Sequence, residues 1–268
     1  MSTADPSVAA SPRRRRVVRV GLAALAVLAS AGVLPGRSAA AAGGLRRAEL
    51  IERLALAYPA TVGVGPTAQL MVRGREVPVA EGRTVGSVQD RLSIATIGDQ
   101  FSIPYPRGCP LRTPGNDEDP GRLRNEPFFR AMYGGSRTEV AKTLTPVKWF
   151  GSTLQATTTN NVDKRLRAVA ADLAQRPDLA RYLSKPGGGF NWRKIAGENV
   201  SSMHSFGIAF DINVAFSDYW RWSGGVKAYR NRIPCDIGEV FERHGFIWGA
   251  KWFHFDTMHF EYRPELLT

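Results

Sequence analysis

The chain of 268 residues has two cysteines, four histidines and, beyond its first 42 residues, no long apolar run. Two cysteines allow one disulfide at most, which excludes a disulfide-built scaffold. The shortage of histidine confines any imidazole-based metal site to His204, His244, His254 and His259. Acid is scarce relative to base, with 24 Asp and Glu against 36 Lys and Arg and a net charge of +12. No internal repeat is present, which excludes a solenoid or propeller. The length, with a hydrophobic fraction of 43%, suits one substantial globular domain with an extension.

The first 42 residues read as an export signal and stand apart from that fold. Arg13 to Arg16 and Arg19 form a positive head, Val20 to Leu34 an apolar stretch, and Ser38 to Ala42 a small-residue cleavage region. The apolar stretch is shorter than the roughly 20 residues a spanning helix needs, so no permanent membrane anchor is expected. The arginine run resembles a twin-arginine signal, while the general secretory route stays open. Removing residues 1–42, with six arginines and one aspartate, leaves 30 basic against 23 acidic residues, a balance of +7. In an exported protein that charge suits an anionic cell wall or membrane surface, and nucleic acid, met mainly in the cytoplasm, is not expected as a partner.

The chemistry concentrates in two short segments, Ser202-Met-His-Ser-Phe-Gly-Ile-Ala-Phe-Asp211 and Asp256-Thr-Met-His259. The first alternates, with Phe206, Ile208, Phe210, Ile212 and Val214 on one face and Gly207, Ala209, Asp211 and Asn213 on the other. As a strand it would bury its bulky face and present Asp211 to a cleft among small residues. His204 has the wrong parity to join Asp211 unless the chain kinks near Gly207, which glycine permits. The odd spacing of Asp256 and His259 likewise predicts a turn over 256–258, then a strand from His259 to Tyr262. A catalytic zinc usually takes three His or carboxylate ligands and leaves a position for water. His204, Asp211 and His259 fill that count, and Asp256 remains for proton transfer in metal-assisted amide hydrolysis.

These residues resemble the zinc D-alanyl-D-alanine carboxypeptidases, D-Ala-D-Ala dipeptidases and L-alanyl-D-glutamate endopeptidases of cell-wall metabolism, which share a fold with the hedgehog signalling domain. The signature Ser-x-His-x-x-Gly-x-Ala-x-Asp followed by Asp/Glu-x-x-His is met by Ser202, His204, Gly207, Ala209, Asp211, Asp256 and His259. The resemblance implies that His204, Asp211 and His259 bind Zn2+ and that Asp256 is the general base. It also implies an upstream arginine that contacts substrate and the developing oxyanion, best matched by Arg193. Similarity extends through residues 217–222 and 241–252 and fades before about residue 101. Ser202 would cap the turn or orient substrate, and Trp192 and Trp252 are the tryptophans expected to line a substrate groove. His254 and Glu261 compete as ligand or base and are otherwise expected behind the ligands.

Elsewhere, residues 45–58 have helical periodicity, 69–72 and 76–79 flank a hairpin turn, and the Pro- and Gly-rich stretch 102–122 predicts an irregular wrap over the catalytic domain. Short helices are expected at 128–133 and 138–142, then strands at 144–150 and 152–158. A helix capped by Asn161 should run to about Gln175 with a core stripe of Val162, Leu166, Val169, Ala170 and Leu173. Pro186 to Gly189 reads as a flexible loop, and Ile233 to His244 as the last helix, ended by Gly245. Cys109 and Cys235 would tie the wrap to that helix, or remain two thiols.

The expected architecture is α+β, a small antiparallel sheet carrying the zinc site and flanked by helices, divided into signal 1–42, N-terminal extension 43–122 and peptidase domain 123–268. The function expected is zinc-dependent hydrolysis of peptidoglycan stem peptides, at a terminal D-Ala or an internal L-Ala–D-Glu bond. The alternative is a non-catalytic wall-binding module that keeps zinc for structure.

Overall fold

The computed structural model describes residues 45–82 and 86–268; the expected export signal lies outside them. No helix among the described residues is long and apolar enough to cross a membrane. The described residues form an α+β fold of helices around three small antiparallel sheets.

Helix α1, Arg47–Ala57, buries Leu50, Ile51 and Leu54 and leads into a meander of β1 (Val62–Val64), β2 (Leu70–Val72) and β3 (Arg75–Val77). The sequence pattern predicts β2 and β3 but misses β1, whose three residues are too few to show a period. After a single-turn helix α2, Val88–Arg91, the chain enters its irregular stretch. Then come α3 (Glu126–Tyr133), α4 (Arg137–Ala141) and a hairpin of β4 (Leu144–Trp149) and β5 (Ser152–Thr157).

Helix α5, Val162–Ala174, packs on that hairpin through the anticipated stripe, with Val162, Leu166, Val169 and Leu173 buried. Asn161 does not cap it: its backbone is left-handed (φ 58°), its side chain makes no capping bond, and a 3₁₀ turn over Thr159–Asn161 feeds directly into the helix.

A short helix α6 (Ala180–Leu183) precedes β6 (Pro186–Gly188), and β7 (Ala209–Asn213), α7 (Cys235–Arg243), β8 (Phe246–Trp248) and β9 (His259–Tyr262) follow. The site sheet has the order β6-β7-β9-β8, antiparallel throughout. Pro186 to Gly188, expected as a flexible loop, is thus its edge strand. A Cβ at Gly187 would come within 3.0 Å of the Asp211 Cβ, so the glycine lets this edge lie close to β7.

One face of the sheet meets α7 through stacked rings. Phe241 lies 3.8 Å from Phe260, and Trp248 5.5 Å from Phe260 on a nearly parallel plane. Phe210 and Phe246 continue this layer, and all five side chains are buried. Burying large aromatics supplies most of the drive that holds sheet to helix. The opposite face carries Asp211, His259 and Glu261.

The stretch 102–125 has no regular element, yet several of its polar groups pair with the C-terminal half. Tyr105 donates to Glu242 (2.8 Å), the Trp252 indole donates to the Pro120 carbonyl (2.7 Å), and Arg263 donates to the Gly121 carbonyl (2.8 Å). A disulfide between Cys109 and Cys235 joins this stretch to the first residue of α7. Such pairing satisfies polar groups where the segment is buried, at Tyr105 and over residues 119–123.

Candidate metal centre and cleft

The kink required near Gly207 is present: Met203–Phe206 form a 3₁₀ turn, and Gly207 is left-handed at φ +67°. A Cβ at Gly207 would stand 2.7 Å from Leu144 and 3.2 Å from the Thr157 nitrogen, so both conformation and space demand glycine. The turn swings His204 onto the Asp211 side of β7. Across the ladder, Asp211 pairs directly with His259, which places their side chains together on one face. Asp256 arrives from the preceding turn, where the His259 N–H donates to the Asp256 carbonyl at 3.1 Å.

One ligand atom from each of His204, Asp211 and His259 lies within 4.8 Å of the others. His204 Nε2 is 3.2 Å and His259 Nδ1 3.1 Å from the same Asp211 Oδ1. The remaining ring nitrogens are fixed from behind. His204 Nδ1 donates to the Gly189 carbonyl (2.7 Å), and His259 Nε2 donates to Glu261 (3.1 Å). In the neutral rings those bonds leave the lone pairs on the nitrogens that face Asp211. Two lone pairs converging on a carboxylate oxygen repel unless a cation lies among them, so this donor set suits a metal with His and carboxylate preferences.

Protonation reports the same field. Without a cation a proton takes its place on His259 Nδ1: burial opposes the charge, but the bonds to Asp211 and Glu261 overcome burial and push the pKa up to about 10. Burial would raise Asp211, yet the two imidazoles hold it well below the usual carboxylate range. Asp256 moves the other way: burial, then the Asp211 charge, push it up to about 6. Its Oδ1 is covered and has no hydrogen-bond partner, an acceptor left over beside the donor set. A catalytic centre that needs a base has a use for that acceptor.

Glu261 lies fully buried behind His259. It takes two bonds from Arg124 (2.6 and 3.1 Å) and one from Arg263 (2.9 Å) as well as the imidazole. Burial works against its charge, but Arg124 leads the groups that hold it well below the usual range. It therefore buttresses the candidate ligand and is not free for proton transfer. His254, the other competitor, lines the cleft but donates from Nδ1 to Asp119 at 2.5 Å. Asp117, Asp119 and His254 form a second group with ligand atoms within 4.8 Å, but Asp119 is occupied by His254 and Asp117 accepts from the Val88 N–H.

The centre opens into a cleft of about 450 Å³. Ser202 and Trp252 line it; Ser202 is held by its N–H to the Arg193 carbonyl at 3.0 Å, and its hydroxyl caps nothing. Arg193 is exposed at the rim. Trp192 does not line the cleft: its ring packs edge-on against Phe206 at 6.3 Å, with Arg130 over its face. The aromatics that take its place are Tyr219, Trp220 and Trp222. Arg122, Arg124 and Asp119 are the residues that sequence reasoning misses. Their run, Asp119-Pro-Gly-Arg-Leu-Arg124, shows only as turn-forming composition.

Residues 196–262 match the family model described as D-alanyl-D-alanine carboxypeptidase, which supports the resemblance seen in the signature. The match contains Ser202, His204, Asp211, Asp256 and His259 and stops short of Arg193 and of the irregular stretch. No curated protein and no solved structure matches the chain.

Proposed function

We propose that the protein is a zinc-dependent peptidase of peptidoglycan stem peptides, exported by residues 1–42 to act at the cell wall. The observation that carries this reading is the convergence of His204 Nε2, Asp211 Oδ1 and His259 Nδ1 beside the unpartnered Oδ1 of Asp256.

His204, Asp211 and His259 hold the metal, with Gly189 and Glu261 fixing the two rings so that little ordering is left to occur on binding. Zinc held there supplies Lewis-acid polarisation of the scissile carbonyl and acidifies water. Asp256 accepts the proton from attacking water on its free oxygen and returns it to the departing amine. A pKa near 6 leaves it ionised at neutral pH yet basic enough for this exchange. Arg193, reaching from the rim, offers its guanidinium to the developing oxyanion, Ser202 orients the peptide, and Trp252 forms an apolar wall.

A purely structural zinc site in a wall-binding module leaves Asp256 without a purpose and at a desolvation cost, so the catalytic reading is preferred. The basic surface adds attraction to the anionic wall. Incubation of zinc-loaded protein with defined muropeptides, followed by mass analysis, tests the reading. Release of D-Ala or scission at L-Ala–D-Glu is expected, and unchanged muropeptides at stoichiometric zinc would overturn it.

A further inference from the structure

A second cavity, of about 810 Å³, opens where the β2–β3 turn meets the end of α3 and the segment that follows it, and it shares no lining residue with the cleft. Its charge is one-sided: Arg73, Arg75, Arg130 and Lys142 line it against one acid, Glu139. Arg130 is already engaged, pairing with Glu126 at 2.6 Å and donating to the Gly135 carbonyl at 2.7 Å and to Ser201 at 3.1 Å. Glu139 spends one oxygen on the Gly135 N–H at 2.7 Å. Arg73, Arg75 and Lys142 are exposed, and among the described residues none of them has an acid within ion-pairing distance. Strand alternation turns Glu76, the neighbour of Arg75, to the other face of the hairpin.

The backbone beneath Arg73 is a second observation. Val72 pairs with Arg75, so Arg73 and Gly74 alone make the turn, and both are left-handed, at φ 49° and 77°. Two-residue turns of this kind favour Asn-Gly, because a long side chain at positive φ costs free energy. The arginine is thus held against its backbone preference, and strain of that sort gathers at functional sites. Its Nη1 reaches the Met132 carbonyl at 3.4 Å near the end of α3, which braces the guanidinium and leaves its remaining N–H groups without a protein acceptor.

We propose that this cavity binds a linear phosphodiester polymer of the cell wall and so holds the enzyme on its substrate layer. The inference rests on the reading of an exported wall protein and deepens it from general attraction to a particular site. Guanidinium forks match phosphate oxygens, and each diester keeps one negative charge at any working pH. The cavity is much larger than one phosphate, and a concave floor admits a chain that a flat bilayer cannot follow. A protein tethered in this way meets stem peptides at a raised local concentration.

The test is fluorescence anisotropy of a labelled glycerol-phosphate oligomer with zinc-loaded full-length protein, in which residues 1–42 are the same in every variant. Arg73→Asn, Arg75→Gln and Lys142→Gln should each weaken binding about fivefold, and the three together about 10²-fold. Lys148→Gln, Lys164→Gln and Lys227→Gln combined remove the same charge from exposed positions outside the cavity. That control should change binding little, because salt screens exposed charges beyond about 10 Å. Asparagine suits the left-handed turn, so Arg73→Asn should melt no lower than wild type while still losing affinity. Wild type and the cavity triple variant should cleave soluble muropeptides equally. If wild type cleaves none, the peptidase reading fails, and oligomer binding lost only in the cavity variants still carries this inference. Equal losses in the two triple variants, no oligomer binding by wild type, or phosphatidylglycerol vesicles that depend on the cavity cations more than the oligomer does would overturn it.

Discussion

At the scale of single residues, the two carboxylates of the centre are set apart by what surrounds them. Asp211 lies between two imidazoles and stays ionised, while Asp256 has a covered, unpaired oxygen and a pKa pushed up to about 6. Asp256→Asn keeps the side chain's shape and loses its basicity. Zinc content and melting temperature should therefore hold while kcat falls roughly 10²–10⁴-fold. For the wild type, the base works only when ionised, so kcat/KM should drop as pH falls through about 6 and level off above it. An acid limb unchanged in the Asn variant would remove Asp256 from that role.

Glu261 belongs to the same scale, and the structure changes what its substitution should do. Parity with His259 marks it as a neighbour of the ligands, from which a mild effect follows. Its actual position, buried and bonded to Arg124, Arg263 and His259, predicts more. Glu261→Gln turns an acceptor-only group into one with an amide donor facing two arginines and an imidazole N–H. Zinc affinity should weaken by about 10–100-fold, read by competition with a chelator, well beyond the effect of His254→Gln.

At the scale of elements, the centre depends on a kink and a register. The β7–β9 ladder sets Asp211 opposite His259, and the turn before β7 adds His204 through the left-handed Gly207. Gly207→Ala meets both an unfavourable φ and a 2.7 Å approach to Leu144, so the turn must shift. The expected outcome is a lower melting temperature together with substoichiometric zinc. A loss of stability with zinc binding intact would show that the kink does not position His204.

At the scale of the whole molecule, the stretch that looks least structured does much of the joining. Tyr58 of α1's C-terminal end donates to the buried Glu265 at 2.6 Å, and Glu265 pairs with Arg263, which reaches Glu261 behind the candidate metal centre. Burial, then the Glu265 charge, push the Tyr58 phenol well above its usual pKa, so it remains a donor at any working pH. Tyr58→Phe strands a carboxylate oxygen and should cost about 1–3 kcal/mol in denaturant titration. The Cys109–Cys235 disulfide closes a separation of 126 residues, and Cys109→Ser with Cys235→Ser should cost about 2–5 kcal/mol while leaving zinc binding in place.

Whatever repeats over a few residues is legible in the sequence, because local geometry imposes it. The period of α5, the alternation through β7, the need for a kink at Gly207 and the ligand spacing of the two motif segments are all of this kind. So is the irregularity of 102–122, written in its prolines and glycines. Tertiary structure decided the rest. Pro186 to Gly188 became an edge strand because β7 offered it a partner, which composition does not reveal. Trp192 turned to Phe206 and left the cleft to Tyr219, Trp220 and Trp222, a choice made by packing among rings remote in sequence. Arg122, Arg124 and Asp119 find their partners 76, 137 and 135 residues away, at Glu198, Glu261 and His254. No local period encodes such pairs. They form when burial leaves a charge with few places to be satisfied, and that condition exists only once the chain is folded.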